Sequence, residues 1–161
     1  MKPRVYLETT IPSYLTARPS RQLVRAAHQQ LTRDWWDRRG EYELFVSQFV
    51  LDEAAAGEAS AATARLAVLA GIPLVKQSPT APVLVAALMS GARLPPKATT
   101  DAFHIAVAAF AGVDYLLTWN CRHIANLTLR PQMEAVCRTA GLNLPQLCTP
   151  IELLALEFTN G

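Results

Sequence analysis

Val5-Tyr6-Leu7-Glu8-Thr9-Thr10 sets three apolar residues directly against a carboxylate and two hydroxyls. Arg4 to Leu7 reads as a buried strand, and a buried strand seldom ends in an acid, because Asp and Glu are almost never fully buried without a partner. Beyond it the pattern alternates. Leu23, Ala27, Leu31 and Trp35 recur at spacing four and predict a helix through about residue 38. Tyr42 to Val46 reads as a second strand, Ala54 to Ala70 as an Ala-rich helix broken at Gly57, and Pro73-Leu74-Val75 as a short third strand. Thr80 to Met89 reads as a helix, Pro95-Pro96 as a turn, and Ala102 to Ala111 as a helix capped by Thr100 or Asp101 and closed by Gly112. Tyr115 to Thr118 is the next strand, Arg130 to Ala140 a helix, Leu147-Cys148 an edge strand and Ile151 to Leu156 a last short helix. Short apolar strands alternating with helices imply right-handed crossovers and a mostly parallel α/β sheet covered on both faces. In such sheets, sites gather at the carboxyl ends of the strands.

The chain has 161 residues, so residues 1–161 are expected to form one domain. At 51% hydrophobic and 17% charged, it is too apolar for a disordered chain. The longest apolar run, Ile105 to Val113, has nine residues. A bilayer needs roughly 18. Glu8 interrupts the apolar stretch that follows Lys2 and Arg4, which excludes a secretory signal and places the expected location in the cytoplasm. Cys121, Cys137 and Cys148 fit neither a disulfide framework nor a zinc set, and read as buried free thiols. Net charge is +2, but residues 1–40 hold eight Lys/Arg against three acids, while residues 41–60 hold five acids and no base. Such blocks are compatible with basic rims beside an acidic pocket, and equally with ordinary solvated faces. The glycines are too dispersed for a Walker A loop or a dinucleotide fingerprint, and there is no Gly-x-Ser-x-Gly elbow.

Four residues fall where an α/β sheet collects its chemistry. Glu8 follows the first strand, with a turn acid as the competing role. Glu53 reads as a helix-start acid after the second strand, where the helix dipole alone would favour it and Asp52 competes. Asp101 opens a very apolar helix, where capping alone could explain it. Asn120 follows the strand Tyr115-Leu116-Leu117, and both it and Thr118 could equally be turn residues. Three carboxylates and a carboxamide at neighbouring strand ends call for a counter-charge, since like charges raise one another's pKa. Hard oxygen donors without cysteine suit Mg2+ or Mn2+, and such a site suits phosphodiester hydrolysis. His104, three residues after Asp101, reads as a packed histidine with a satisfied ring rather than a ligand. Trp35, Trp36 and Trp119 are candidate stacking platforms or core residues, with Trp36 expected to be the most exposed. Arg18, Arg21, Arg25, Arg33, Arg38 and Arg39 surround the first helix and could meet phosphates or form a solvated face.

Taken together, these motifs resemble a PIN-domain ribonuclease of the VapC toxin type. Val5 to Leu15 is similar to that family's opening strand and loop, Ser47 with Glu53 to its second block, and Asp101 to Ala108 followed by Tyr115 to Asn120 to its third acid and last site residue. Order and spacing match over about residues 4–150. Two positions depart from the pattern: Glu8 stands where Asp is usual, and Asn120 where Asp is common. The resemblance implies a three-layer α/β/α fold, dependence on Mg2+ or Mn2+, an RNA substrate and a cognate antitoxin. On this reading Glu8, Glu53 and Asp101 are metal ligands or water-orienting carboxylates, with Asn120 assisting in catalysis. The competing expectation is a PIN-like module that binds nucleic acid or a partner without turnover. Ala-rich and Trp-bearing helices also lead us to expect a homodimer or an antitoxin complex.

Overall fold

Four short strands lie side by side in a computed structural model that describes residues 1–158. They are β1 (Arg4–Leu7), β2 (Glu43–Phe45), β3 (Tyr115–Leu117) and β4 (Gln146–Cys148), all parallel, in the order β2-β1-β3-β4. Tyr6 pairs with Phe45 on one side and Leu116 on the other, so β1 is central. Its Val5, Tyr6 and Leu7 are fully buried, which is why an unbroken apolar run, rather than an alternating one, makes this strand.

Between and after the strands come α1 (Thr10–Thr16), α2 (Leu23–Asp37), α3 (Gln48–Ala54), α4 (Ala59–Leu69), α5 (Ala81–Gly91), α6 (Thr99–Ala111), α7 (Arg130–Thr139) and α8 (Pro150–Phe158). Single 3-10 turns occupy Arg39–Glu41 and Pro96–Ala98. Right-handed crossovers put α2 on one face of the sheet and the helices between β2 and β4 on the other, with the short α1 packing against both α2 and α4. Accordingly α2 packs against α1 and α8, and α5 against α6 and α7, giving a three-layer α/β/α fold. The chain leaves β1 toward β2 on one side and later returns as β3 on the other. That reversal puts the topological switch point, where such sheets gather their sites, at the carboxyl ends of β1 and β3.

α6 is apolar nearly all round, and Ala102 and His104–Ala109 are buried. It ends where Gly112 takes a left-handed φ of 62°. The Arg4 guanidinium donates to the carbonyls of Ala111 (3.0 Å) and Gly112 (3.1 Å), a cation on the helix's negative end.

Several expectations are corrected here. Pro73-Leu74-Val75 forms a single parallel bridge, Val46 to Leu74, rather than a strand, because Pro73 has no N–H to extend the ladder. The break expected at Gly57 is present, at φ 89°, but the helical segment before it starts earlier than Ala54: α3 begins at Gln48, where the Ser47 side chain accepts from Val50 N–H, and α4 follows the break. Glu53 therefore lies in the last turn of α3 and not at a helix start. Asp101 and Thr100 are not caps, since the Pro96–Ala98 turn runs directly into a helix that begins at Thr99. α1 is additional: its Pro12 lies in the first turn, where a missing N–H costs nothing. Cys137 and Cys148 are buried free thiols as expected, but Cys121 is exposed. Trp35 is fully buried and Trp119 nearly so, while Trp36 is half-buried beneath Arg39, whose guanidinium lies 4.7 Å from its ring centroid. Among the described residues, no helix is long and apolar enough to cross a membrane.

Candidate functional site

Glu8 leaves the end of β1 and reaches Thr118 just past β3, only 4% exposed. Its Oε2 accepts from Thr10 N–H (3.1 Å), Thr10 Oγ1 (2.5 Å) and Thr118 Oγ1 (2.7 Å). Thr118 directly follows β3, so the two central strands both hold this carboxylate. The contact to Thr10 N–H is the turn-acid role the sequence allows, while the three donors converge on one oxygen and leave Oε1 without a partner among the described residues. No lysine or arginine pairs with it there.

Glu53 arrives from α3. Its position in the last turn removes the dipole explanation, because a helix C-terminus disfavours an acid. Its Oε1 accepts from Thr9 Oγ1 (2.7 Å) and from His104 Nε2 (2.5 Å). Burial alone would push the Glu53 carboxyl up, but the hydrogen bond and charge of His104, together with Thr9, outweigh it and hold the carboxyl below the usual glutamate value. Glu53 is therefore ionised at neutral pH, and the His104 nitrogen facing it carries the proton.

Glu8, Glu53 and His104 can each present one ligand atom such that all three lie within 4.8 Å of one another. The chemistry of the third member is different from that of the other two. His104 is fully buried, and its Nδ1 lies 2.7 Å from the Tyr6 hydroxyl, which lies 2.6 Å from Ser47 Oγ. Burial pushes the Tyr6 phenol far above its usual value, so it stays a neutral O–H. With Glu53 ionised, His104 Nε2–H donates to it, and the Tyr6 hydroxyl bridges His104 Nδ1 and Ser47 Oγ, a chain that satisfies every group whichever way its O–H points. Neither imidazole nitrogen then has a lone pair for a cation. The donor set is two carboxylates, and His104 holds one of them in place. Oxygen donors of this kind fit a hard divalent cation.

Asp101 lies outside this tight group. It sits in the first turn of α6, one turn before His104, and its Oδ2 is 3.0 Å from His123 Nδ1. Asn120 is a turn residue: its Oδ1 accepts from Arg122 N–H (3.2 Å) and His123 N–H (3.0 Å). Its amide oxygen is thus committed to the turn that carries His123 to Asp101. The structure brings Glu8 and Glu53 together and links Asn120 to Asp101 through His123.

Sequence reasoning passed over Tyr6 and His123 as site residues. The available signals were a hydroxyl in an otherwise apolar central strand and a histidine three residues past the candidate Asn120. No protein-family model matches the chain, and no curated protein does so either.

Proposed function

We propose that this chain is a divalent-metal-dependent endoribonuclease of the PIN type, the toxin of a toxin–antitoxin pair in the cytoplasm. The observation that carries the reading is the convergence of Glu8 and Glu53 at the reversal point of a parallel sheet, where no Lys or Arg among the described residues pairs with Glu8 and the His104 imidazole is what faces Glu53. Glu8 is buried, and a buried acid without a cationic partner is costly unless something else supplies the charge, while Glu53 beside it is open to solvent.

Mg2+ or Mn2+ bound there would neutralise charge on a phosphodiester and activate water for its hydrolysis. Glu8 and Glu53 supply the ligand oxygens, and Asp101 serves as the third acid of the site. Thr10 and Thr118 fix Glu8, Thr9 and His104 fix Glu53, and His123 fixes Asp101. Asn120 acts by holding the His123 turn. The exposed Leu23 and Val24 on α2, and a groove of about 470 Å³ between α5 and α7 lined by Val83 and Val136, are apolar surfaces that fit an antitoxin or a second copy of the chain.

Calorimetric titration with Mn2+ followed by incubation with unstructured RNA tests the reading. The expected result is Mn2+ binding and metal-dependent cleavage, both lost in Glu53→Gln. RNA retained without cleavage at saturating Mn2+ would establish a binding module in place of a nuclease.

A further inference from the structure

Trp119 is pinned beside the carboxylates by two hydrogen bonds. Its backbone N–H donates to Thr10 Oγ1 (2.8 Å), the same hydroxyl that holds Glu8, and its indole Nε1–H donates to Thr32 Oγ1 (2.8 Å) on α2. The imidazole of His28 lies flat on this indole, with ring centroids 4.0 Å apart and planes within 14°. Tyr14 closes one side, 5.8 Å from Trp119 and 6.3 Å from His28, and the Arg25 guanidinium lies 5.7 Å from the Tyr14 centroid.

Trp119 is too buried to serve as a platform itself. His28 is half-buried, and one of its faces is covered by Trp119. Its ring nitrogens have no hydrogen-bond partner among the described residues. An aromatic ring held flat by a rigid backing, with unused polar atoms on its edge and exposed Arg18, Arg21 and Arg25 nearby, has the make-up of a stacking site for an unpaired base beside a phosphate chain.

We propose that His28, backed by Trp119, stacks on an unpaired nucleobase of a single-stranded nucleic acid whose backbone crosses the Glu8–Glu53 site. The inference rests on the nuclease reading and adds to it the part of the substrate that is recognised. A paired base has both faces occupied within its own helix, so the site selects unpaired strands.

The test is fluorescence anisotropy in EDTA, where nothing is cleaved, with a fluorescein-labelled hexa-adenylate and an abasic ribose-phosphate chain of the same length. Wild-type protein is expected to bind the base-bearing strand about 5-fold to 100-fold more tightly than the abasic one. His28→Ala should bring that ratio close to one, while His28→Phe, which keeps the ring face, should preserve it. A wild-type ratio of one, no binding of either strand, or an unchanged ratio in His28→Ala would overturn the proposal. The comparison of the two strands on the wild-type protein decides even without a folded variant. Cleavage of hexa-adenylate under Mn2+ separates the two ideas. Cutting with no base-dependent binding removes the stacking site and leaves the nuclease, whereas base-dependent binding without cutting supports the stacking site and removes the nuclease.

Discussion

Tyr6 carries a hydroxyl in the most buried strand of the protein, and that hydroxyl connects Ser47 to His104 and so to Glu53. Tyr6→Phe leaves the His104 and Ser47 atoms without their partner, and should destabilise the fold by about 1 to 3 kcal/mol in urea unfolding. His104→Gln should lower Mn2+ affinity by about 10-fold to 100-fold in calorimetry, the usual effect of losing a group that orients a ligand. Unchanged affinity would reduce His104 to a packing role. Because the Glu53 carboxyl is held below its ordinary value in the folded state, its contribution to stability is fully present above that ordinary value and is lost as pH falls through the lower, folded one. Thermal unfolding from about pH 7 to pH 3 should therefore show a shallower acid decline for Glu53→Gln than for wild type. Asp101→Asn keeps an oxygen that accepts from His123, so it should abolish metal-dependent RNA cleavage with little change in melting temperature. Loss of the fold in that variant would make Asp101 a structural residue.

At the scale of elements, α3 is set by one side chain. Ser47 accepts the Val50 N–H at its start and contacts Tyr6, and Ser47→Ala should cost about 1 to 2 kcal/mol from the cap. Gly112→Ala places a Cβ at φ 62° and should cost about 1 to 2 kcal/mol, read in the same unfolding experiment. β1, α2, α6 and β3 were legible because each is long or apolar enough for its period to show, and Gly112 marked its helix end. α1 was hidden by Thr9-Thr10-Ile11-Pro12, a β-branched run with a proline, whose local preference yields to packing of the buried Ile11 and Pro12. Glu53 shifted from the start of one helix to the end of another because a single N-cap, Ser47, moved the boundary. The competing dipole explanation for this acid fails for that reason.

Across the whole molecule, burial separates chemically identical groups. It pushes the Cys137 thiol up to about 11 and Cys148 up to about 12, while Cys121 is exposed. A thiol reagent at neutral pH should modify Cys121 alone in the folded protein and all three after denaturation. Labelling of Cys148 in the native state would contradict this burial. Glu8 was legible in the chain because a carboxylate directly after an apolar strand conflicts with burial. So was the α/β class, since strands buried on both faces have no polar alternation. The sequence order could not show which donors meet the acids of the site. Tyr6 and His104 are 98 residues apart, and Thr118 is 110 from Glu8. The pairing of β3 beside β1 brings Thr118 to Glu8, and the packing of α6 on the sheet brings His104 to Tyr6, because hydrogen bonds are made over about 3 Å whatever the distance along the chain.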